Sequence, residues 1–194
     1  VKPKEIFQKI EADGFKQFVR ADIILTNNLS GVFAKLIRLK TNGVCTHGEL
    51  YAFTGHTIGA NRNGVDINNL KQFFNGKNTV CVYRRKGLKQ ADRTRILYNA
   101  CRWLHRPYDW LGIICQALDF IFRTTWFSRK FNGSYLPYCS ELIGRAYKHK
   151  RKVSGKSIES TTPQDIFDFV SASPKWKLVF HMLKADGEWH TNIS

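Results

Sequence analysis

A cysteine two residues past a proline, in the run PYCSELIGRAY at 137–147, is the first place where this sequence can do chemistry. Proline does not continue a helix backward, so a helix is expected to open between Tyr138 and Ser140. Leu142, Ile143 and Ala146 follow Cys139 by three, four and seven positions and share its helical face. The thiol is thus expected in the first turn, pointing at whatever the helix packs against. There the partial positive charge of the helix end favours thiolate, the nucleophilic form, and free backbone N–H groups can hold an oxyanion. The competing reading is a buried structural cysteine, because free Cys is among the most buried residue types.

A thiol nucleophile also needs a base. Side chains alternate along VCTHGELYAF (44–53), which puts Cys45, His47, Glu49, Tyr51 and Phe53 on one face of a strand. His47 and Glu49 become neighbours, and a carboxylate beside an imidazole can hold its tautomer and stabilise its charged form. Glu is disfavoured in strand interiors, so its place beside His47 calls for a reason. An exposed strand face with two polar residues is the plainer alternative.

Other chemistries fit less well. H-x-E followed by P-x-C is similar to part of a zinc deaminase site, but that site needs P-C-x-x-C. Leu142 stands where the second thiolate would be. His56, His105, His149, His181 and His190 show no ligand spacing with one another or with Cys. The sequence has neither a phosphate-binding glycine loop nor a G-x-S-x-G elbow. No metal or organic cofactor is expected.

The 194 residues suit one domain, and 43% hydrophobic with 13% aromatic residues is the composition of a globular chain. A net charge of +16 points to anionic partners such as a membrane face, a cell-wall polymer or nucleic acid, or to a solvated basic surface. Five scattered cysteines without CxxC spacing argue against a disulfide scaffold. With a charged amphipathic N-terminal segment unlike a signal peptide, they lead us to expect an intracellular, cytoplasmic protein. The most apolar run, residues 109–127, is interrupted by Asp109, Gln116, Asp119 and Arg123, so a buried or groove-lining helix is expected rather than a membrane span.

The elements that must position these residues follow from periodicity. Helices are expected over 1–19 (with a break at Gly14), 31–40, 90–104, 109–124, 139–148 and 163–171. Strands are expected over 21–26, 44–53, 56–60, 79–85 and 176–183. The segments 128–137 and 148–157 read as loops. The fold class is α+β in a single domain, without repeats or linkers.

Seven pieces in this order, ADIILT, the helix 31–40, THGELY, GA with NGV, RPYDWLG, YCSELIGRAY and TTPQDIF, carry a family likeness. Over residues 20–170 the chain resembles the circularly permuted papain-like cysteine hydrolases of the NlpC type, in the YiiX-like branch. In that order the His strand precedes the Cys helix, and catalysis depends on where atoms meet rather than on chain order. The resemblance implies a permuted papain-like fold, a Cys helix packed on a small antiparallel sheet, Cys139 as nucleophile and His47 as base. Many relatives carry an acidic residue just before the Ala of the strand after the His strand, where this chain has Gly59. Glu49 is the candidate third member, with Asp66 and His56 as weaker ones. Tyr138, Tyr108 and Tyr51 are the candidate substrate-binding residues, Tyr108 from the PYDW element. For Glu141 and Pro163 a structural role at a helix start is preferred.

The expected activity is hydrolysis of an amide or ester through a thioester acyl-enzyme, on a cell-wall peptide or a lipid or acyl substrate. A thiol transacylase would use the same nucleophile. A non-enzymatic basic binder of anionic membrane or nucleic acid is the alternative from another class, carried by Arg84–Lys86 and Lys148–Lys152. Neither cluster has the interleaved aromatics of a single-strand platform, so nucleic acid is the weaker partner.

Overall fold

Strands whose central residues are mostly buried on both faces build one antiparallel sheet. Its structure was obtained as a computed structural model, which describes residues 2–28, 43–61, 63–107, 122, 124, 126, 137–147, 152–153, 156–158 and 161–193. The strands are β1 (Ile23–Asn28), β2 (His47–Phe53), β3 (His56–Asn61), β4 (Gly64–Asn69), β5 (Asn78–Arg85), the short pair β6 (Lys152–Val153) and β7 (Lys156–Ser157), β8 (Trp176–Ala185) and β9 (Glu188–Ile193). Seven of them pair in the order β4-β3-β2-β1-β5-β8-β9, and β6 pairs with β7 apart from that sheet. The helices are α1 (Pro3–Ala12), α2 (Gln90–Cys101), α3 (Cys139–Ala146) and α4 (Pro163–Ala172), and Leu70–Phe74 forms a 3₁₀ turn.

Each face of the sheet carries its own core. Ile23, Leu25, Leu50, Ile58 and Val65 meet Leu142, Ile143 and Ala146 of α3 together with residues of α2 and α4. Ile24, Tyr51, Val80, Val82 and Phe180 meet Ile6, Phe7 and Ile10 of α1 and Phe73 and Phe74 of the 3₁₀ turn. Burial on both faces explains why β1 reads as a continuous apolar run instead of an alternating one. Helix α3 lies close on β2: a Cβ on Gly48 would stand 2.8 Å from Ile143 Cδ1. A larger residue at 48 would require the Ile143 and Leu25 side chains to shift.

The fold class expected from sequence is the one observed, with a sheet larger than anticipated. Strands β4 and β9 have no counterpart in the sequence reading, and the expected loop 148–157 contains the short pair β6 and β7. The first helix stops at Ala12, because Gly14 and Phe15 take left-handed backbone (φ 64° and 59°). Helix α2 ends at Cys101 rather than 104. Strand β2 starts at His47, and Cys45 before it turns into the α3-side core, so it does not share the face of His47. The expected helices over 31–40 and 109–124, and the loop 128–136, lie outside the described residues. Among the described residues no helix is long and apolar enough to cross a membrane.

One buried ion cluster ties the strands that carry the site. Asp22 is fully buried, and its carboxylate accepts from Arg84 Nε at 2.9 Å, Arg84 NH2 at 2.7 Å and the Val19 N–H at 2.9 Å. Arg93 NH1 lies 3.8 Å away and donates to the Arg20 carbonyl at 2.9 Å. The Asp22 carbonyl accepts from Tyr51 N–H at 2.9 Å, so the cluster also fixes β2. Burial holds the carboxyl above the usual carboxylate range against the pull of Arg84 and Arg93. Removing the anion leaves two largely buried guanidinium groups without it, which typically costs about 3–5 kcal/mol. Asp22→Ala is therefore expected to lose about 3 kcal/mol in urea unfolding; a loss under about 0.5 kcal/mol, the level of an ordinary surface change, would contradict the role given to the cluster.

Candidate active site

Helix α3 begins where the proline rule requires. Tyr138 is the extended N-cap (φ −96°, ψ 174°), and Cys139 is the first helical residue. Leu142 N–H donates to the Tyr138 carbonyl at 2.9 Å, and Ser140 Oγ donates to the Thr161 carbonyl at 2.6 Å. The turn is thereby fixed from two sides, with Cys139 only 4% exposed. At a helix N-terminus the first N–H groups have no partner inside the helix, and the dipole's positive end is close to the thiol.

His47 is the first residue of β2, paired with Thr26 of β1. Its side chain is 24% exposed, whereas that of Glu49 is 1% exposed, and Nε2 lies 2.9 Å from Glu49 Oε1. The carboxylate is held from two further directions. Asn68 Nδ2 donates to Oε1 at 3.0 Å and Thr57 Oγ1 donates to Oε2. Asn68 is in turn oriented by Asn61, whose Nδ2 donates to its Oδ1 at 2.8 Å. A buried carboxylate without such partners would cost several kcal/mol.

The space for this carboxylate is made by Gly59. A Cβ at that position would lie 2.3 Å from Glu49 Cγ and 2.4 Å from its Cδ. The side chain of Glu49 thus crosses β3 through the place where a residue at 59 would put its own. In the resemblance, residue 59 is where relatives carry the acid, and here the acid reaches the same space from the neighbouring strand.

The Cys139 thiol acts electrostatically on the His47 ring from the first turn of α3. Burial alone would lower the pKa of His47, but the hydrogen bonds and charges of Cys139 and Glu49 outweigh this and push it up to about 10. The imidazolium is favoured by the buried Glu49 carboxylate 2.9 Å away. Phe73 flanks the ring, its centroid 6.1 Å away. Cys45 is as buried as Cys139 but lacks such a base, and burial pushes its thiol well above the usual range.

The other sequence candidates are dispersed. Asp66 is exposed on β4 and accepts from the Ile67 N–H; His56 stacks on Phe53, with Nδ1 2.7 Å from the Thr54 carbonyl. Neither is joined to His47. Tyr51 packs in the α1-side core against Phe18, with ring centroids 5.4 Å apart, and its hydroxyl accepts from Gly55 N–H. At 4% exposure it offers a substrate no surface. Tyr138 is buried beside Cys139, and Tyr108 lies outside the described residues. Glu141 pairs with Arg145, and Pro163 opens α4 after the Thr162 cap. Sequence reasoning missed Thr57 and Asn68, since β4 was not read as a strand and their cross-strand pairing was invisible. It also missed Gln164, whose Oε1 accepts from Val44 and Cys45 N–H at 2.7 and 3.0 Å and anchors the chain entering β2. Among the described residues, no group of three His, Cys, Asp or Glu side chains is placed to hold a metal ion.

Comparison with known proteins places the fold. No family model matches the sequence, and no curated protein matches it. Among solved structures, the metalloprotein yiiX of Escherichia coli O157:H7, a DUF1105 protein, superposes with a TM-score of 0.58 at 22% identity. The match covers 84% of this chain and 97% of that one. The α+β fold described above is the YiiX fold.

Proposed function

We propose that this protein is a cysteine hydrolase of the NlpC/P60 kind that cleaves an amide or ester through a thioester acyl-enzyme. The observation that carries the reading is His47 held 2.9 Å from the buried Glu49, with Cys139 acting on the same ring from the first turn of a helix. The YiiX-like fold agrees with it, as an architecture in which such hydrolases are built.

The steps follow from the geometry. The Cys139 thiolate attacks the carbonyl carbon, forming a C–S bond and an oxyanion that the backbone N–H of the first turn of α3 can receive. Collapse breaks the C–N or C–O bond, and the imidazolium of His47 passes its proton to the leaving group. His47, now neutral, takes a proton from water, whose oxygen attacks the thioester and releases acid and thiolate. Glu49 does not exchange protons; it holds the ring and stabilises its charge. If an acceptor other than water resolves the thioester, the same residues perform acyl transfer. Cell-wall peptides and lipid acyl groups are the substrate classes that fit the family likeness, and the basic surface suits an anionic one.

The reading is tested with an activated acetyl ester and peptide mapping of the trapped intermediate. A single acetyl group is expected on Cys139, labile to hydroxylamine, absent in Cys139→Ala and slowed at least about 100-fold in His47→Ala, the low end for loss of an acid–base group. Acetyl distributed over the exposed Cys101 in preference to Cys139 would overturn it.

The part given to Glu49 has its own readout. NMR titration of His47 should show a ring still charged at pH 8, given its midpoint near about 10. Glu49→Gln removes the carboxylate beside the ring and should move that midpoint down by about one unit or more. Gly59→Ala should do the same by displacing the Glu49 side chain. A midpoint unchanged in both variants would show that the carboxylate does not act on the ring.

A further inference from the structure

The basic cluster Arg84–Lys86 divides into two parts with different surroundings. Arg84 is committed to Asp22 in the interior. Arg85, next along β5, is on the other face of the strand. There it lines a cleft of about 490 Å³ with Lys86, Asp92, Arg95, Asn99 and Tyr147. Arg85 is half-buried as a residue, and its side chain makes no hydrogen bond or ion pair among the described residues. The one carboxylate in the lining, Asp92, is already held by Arg95 at 2.7 Å. Three cations against one carboxylate leave the cleft at a net charge of +2.

The rest of the lining also favours an anion. The cleft sits at the C-terminal end of α3, where exposed carbonyls would repel negative charge. The Ala146 carbonyl, however, is covered by Asn99 Nδ2 at 3.0 Å, and the Tyr147 hydroxyl is turned inward to the Ala21 carbonyl. The N-terminal end of α2, which has no side-chain cap at Lys89, borders the same space through Asp92. The turn carrying Lys86 is fixed by its N–H bond to the Lys175 carbonyl at 2.9 Å. Cys139 lies at the opposite end of α3, about 10 Å along the helix, so the cleft is separate from the cysteine site.

We propose that this cleft binds a phosphate monoester, carried by a small molecule or by a lipid headgroup. A guanidinium with open donors on a half-buried arginine matches phosphate oxygens in the way a mobile ammonium does not. The volume exceeds that of phosphate alone and leaves room for the group attached to it. The +2 charge answers the dianion of a monoester. This inference does not depend on the hydrolase reading.

The test uses the intact chain with two probes: glycerol 3-phosphate, followed by amide NMR shifts, and phosphatidylcholine vesicles with and without phosphatidic acid, followed by sedimentation. Saturable shifts at Lys86, Gly87 and Asn99 with the soluble probe support a small-molecule ligand. Binding only to vesicles that carry phosphatidic acid supports a headgroup. In either case Arg85→Gln and Lys86→Gln should each weaken binding about tenfold, the loss of one charge-assisted contact. Lys9→Gln, which removes the same charge from the exposed side of α1 on the other face of the sheet, should change it less than twofold. Lys86 is exposed on its turn, so its variant keeps the test valid if Arg85→Gln does not fold. The proposal is overturned if neither probe binds, or if Lys9→Gln weakens binding as much as the cleft variants do.

Discussion

The arrangement of this site depends on one carboxylate withdrawn from water. Glu49 is 1% exposed, and a carboxylate buried to that degree is tolerated only where donors replace its hydration. Here the donors are Thr57, Asn68 and the ring of His47. Removal of water also sharpens the field of the anion at the imidazole, because little solvent lies between them. The same interaction dictates the sequence nearby. Residue 59 must be small, residue 57 must bring a hydroxyl and residue 68 an amide, on strands paired so that all three meet the carboxylate.

The two faces of β2 divide the work. Gly48 faces α3 and lets the helix come close, while His47 and Glu49 on either side of it face away from that contact. Cys139 therefore reaches His47 at the end of the sheet, where β2 and α3 both begin, and not across the packed interface. The cluster around Asp22 lies at the other end of these strands, where it joins β1 to β5 through Arg84 and to β2 through its own backbone at Tyr51. A hard ion cluster inside the fold and a hydrogen-bonded acid beside the cysteine thus perform distinct tasks. One holds strands in place; the other sets the charge of a ring.

How far the sequence discloses this follows from the range of its signals. Pro137 before an apolar face of helical spacing located the start of α3, because both cues are local. The alternation around His47 put Glu49 on its side of the strand for the same reason. Cys45 escaped that pattern, since the strand starts only at His47 and the residues before it follow Gln164 instead. Strand β9 was missed although Asp186-Gly187 is a hairpin turn signal, because few of its residues are apolar. Thr57 and Asn68 were illegible for a deeper reason. Each is an ordinary polar residue until the pairing of β3 with β4 brings them together over Glu49. The vacancy at Gly59 has meaning only with the partner strand in view.

The central claim is that His47 makes Cys139 a nucleophile, and the rate of alkylation by iodoacetamide at pH 6 tests it most directly. Cys101, an exposed thiol whose own pKa is raised by its surroundings, serves as an internal reference in the same sample. Peptide mapping should show Cys139 reacting at least about tenfold faster than Cys101, one unit's worth of thiolate, with the advantage lost in His47→Ala. If Cys139 reacts no faster than Cys101, or equally fast without His47, the pair does not activate the thiol and the hydrolase account is wrong.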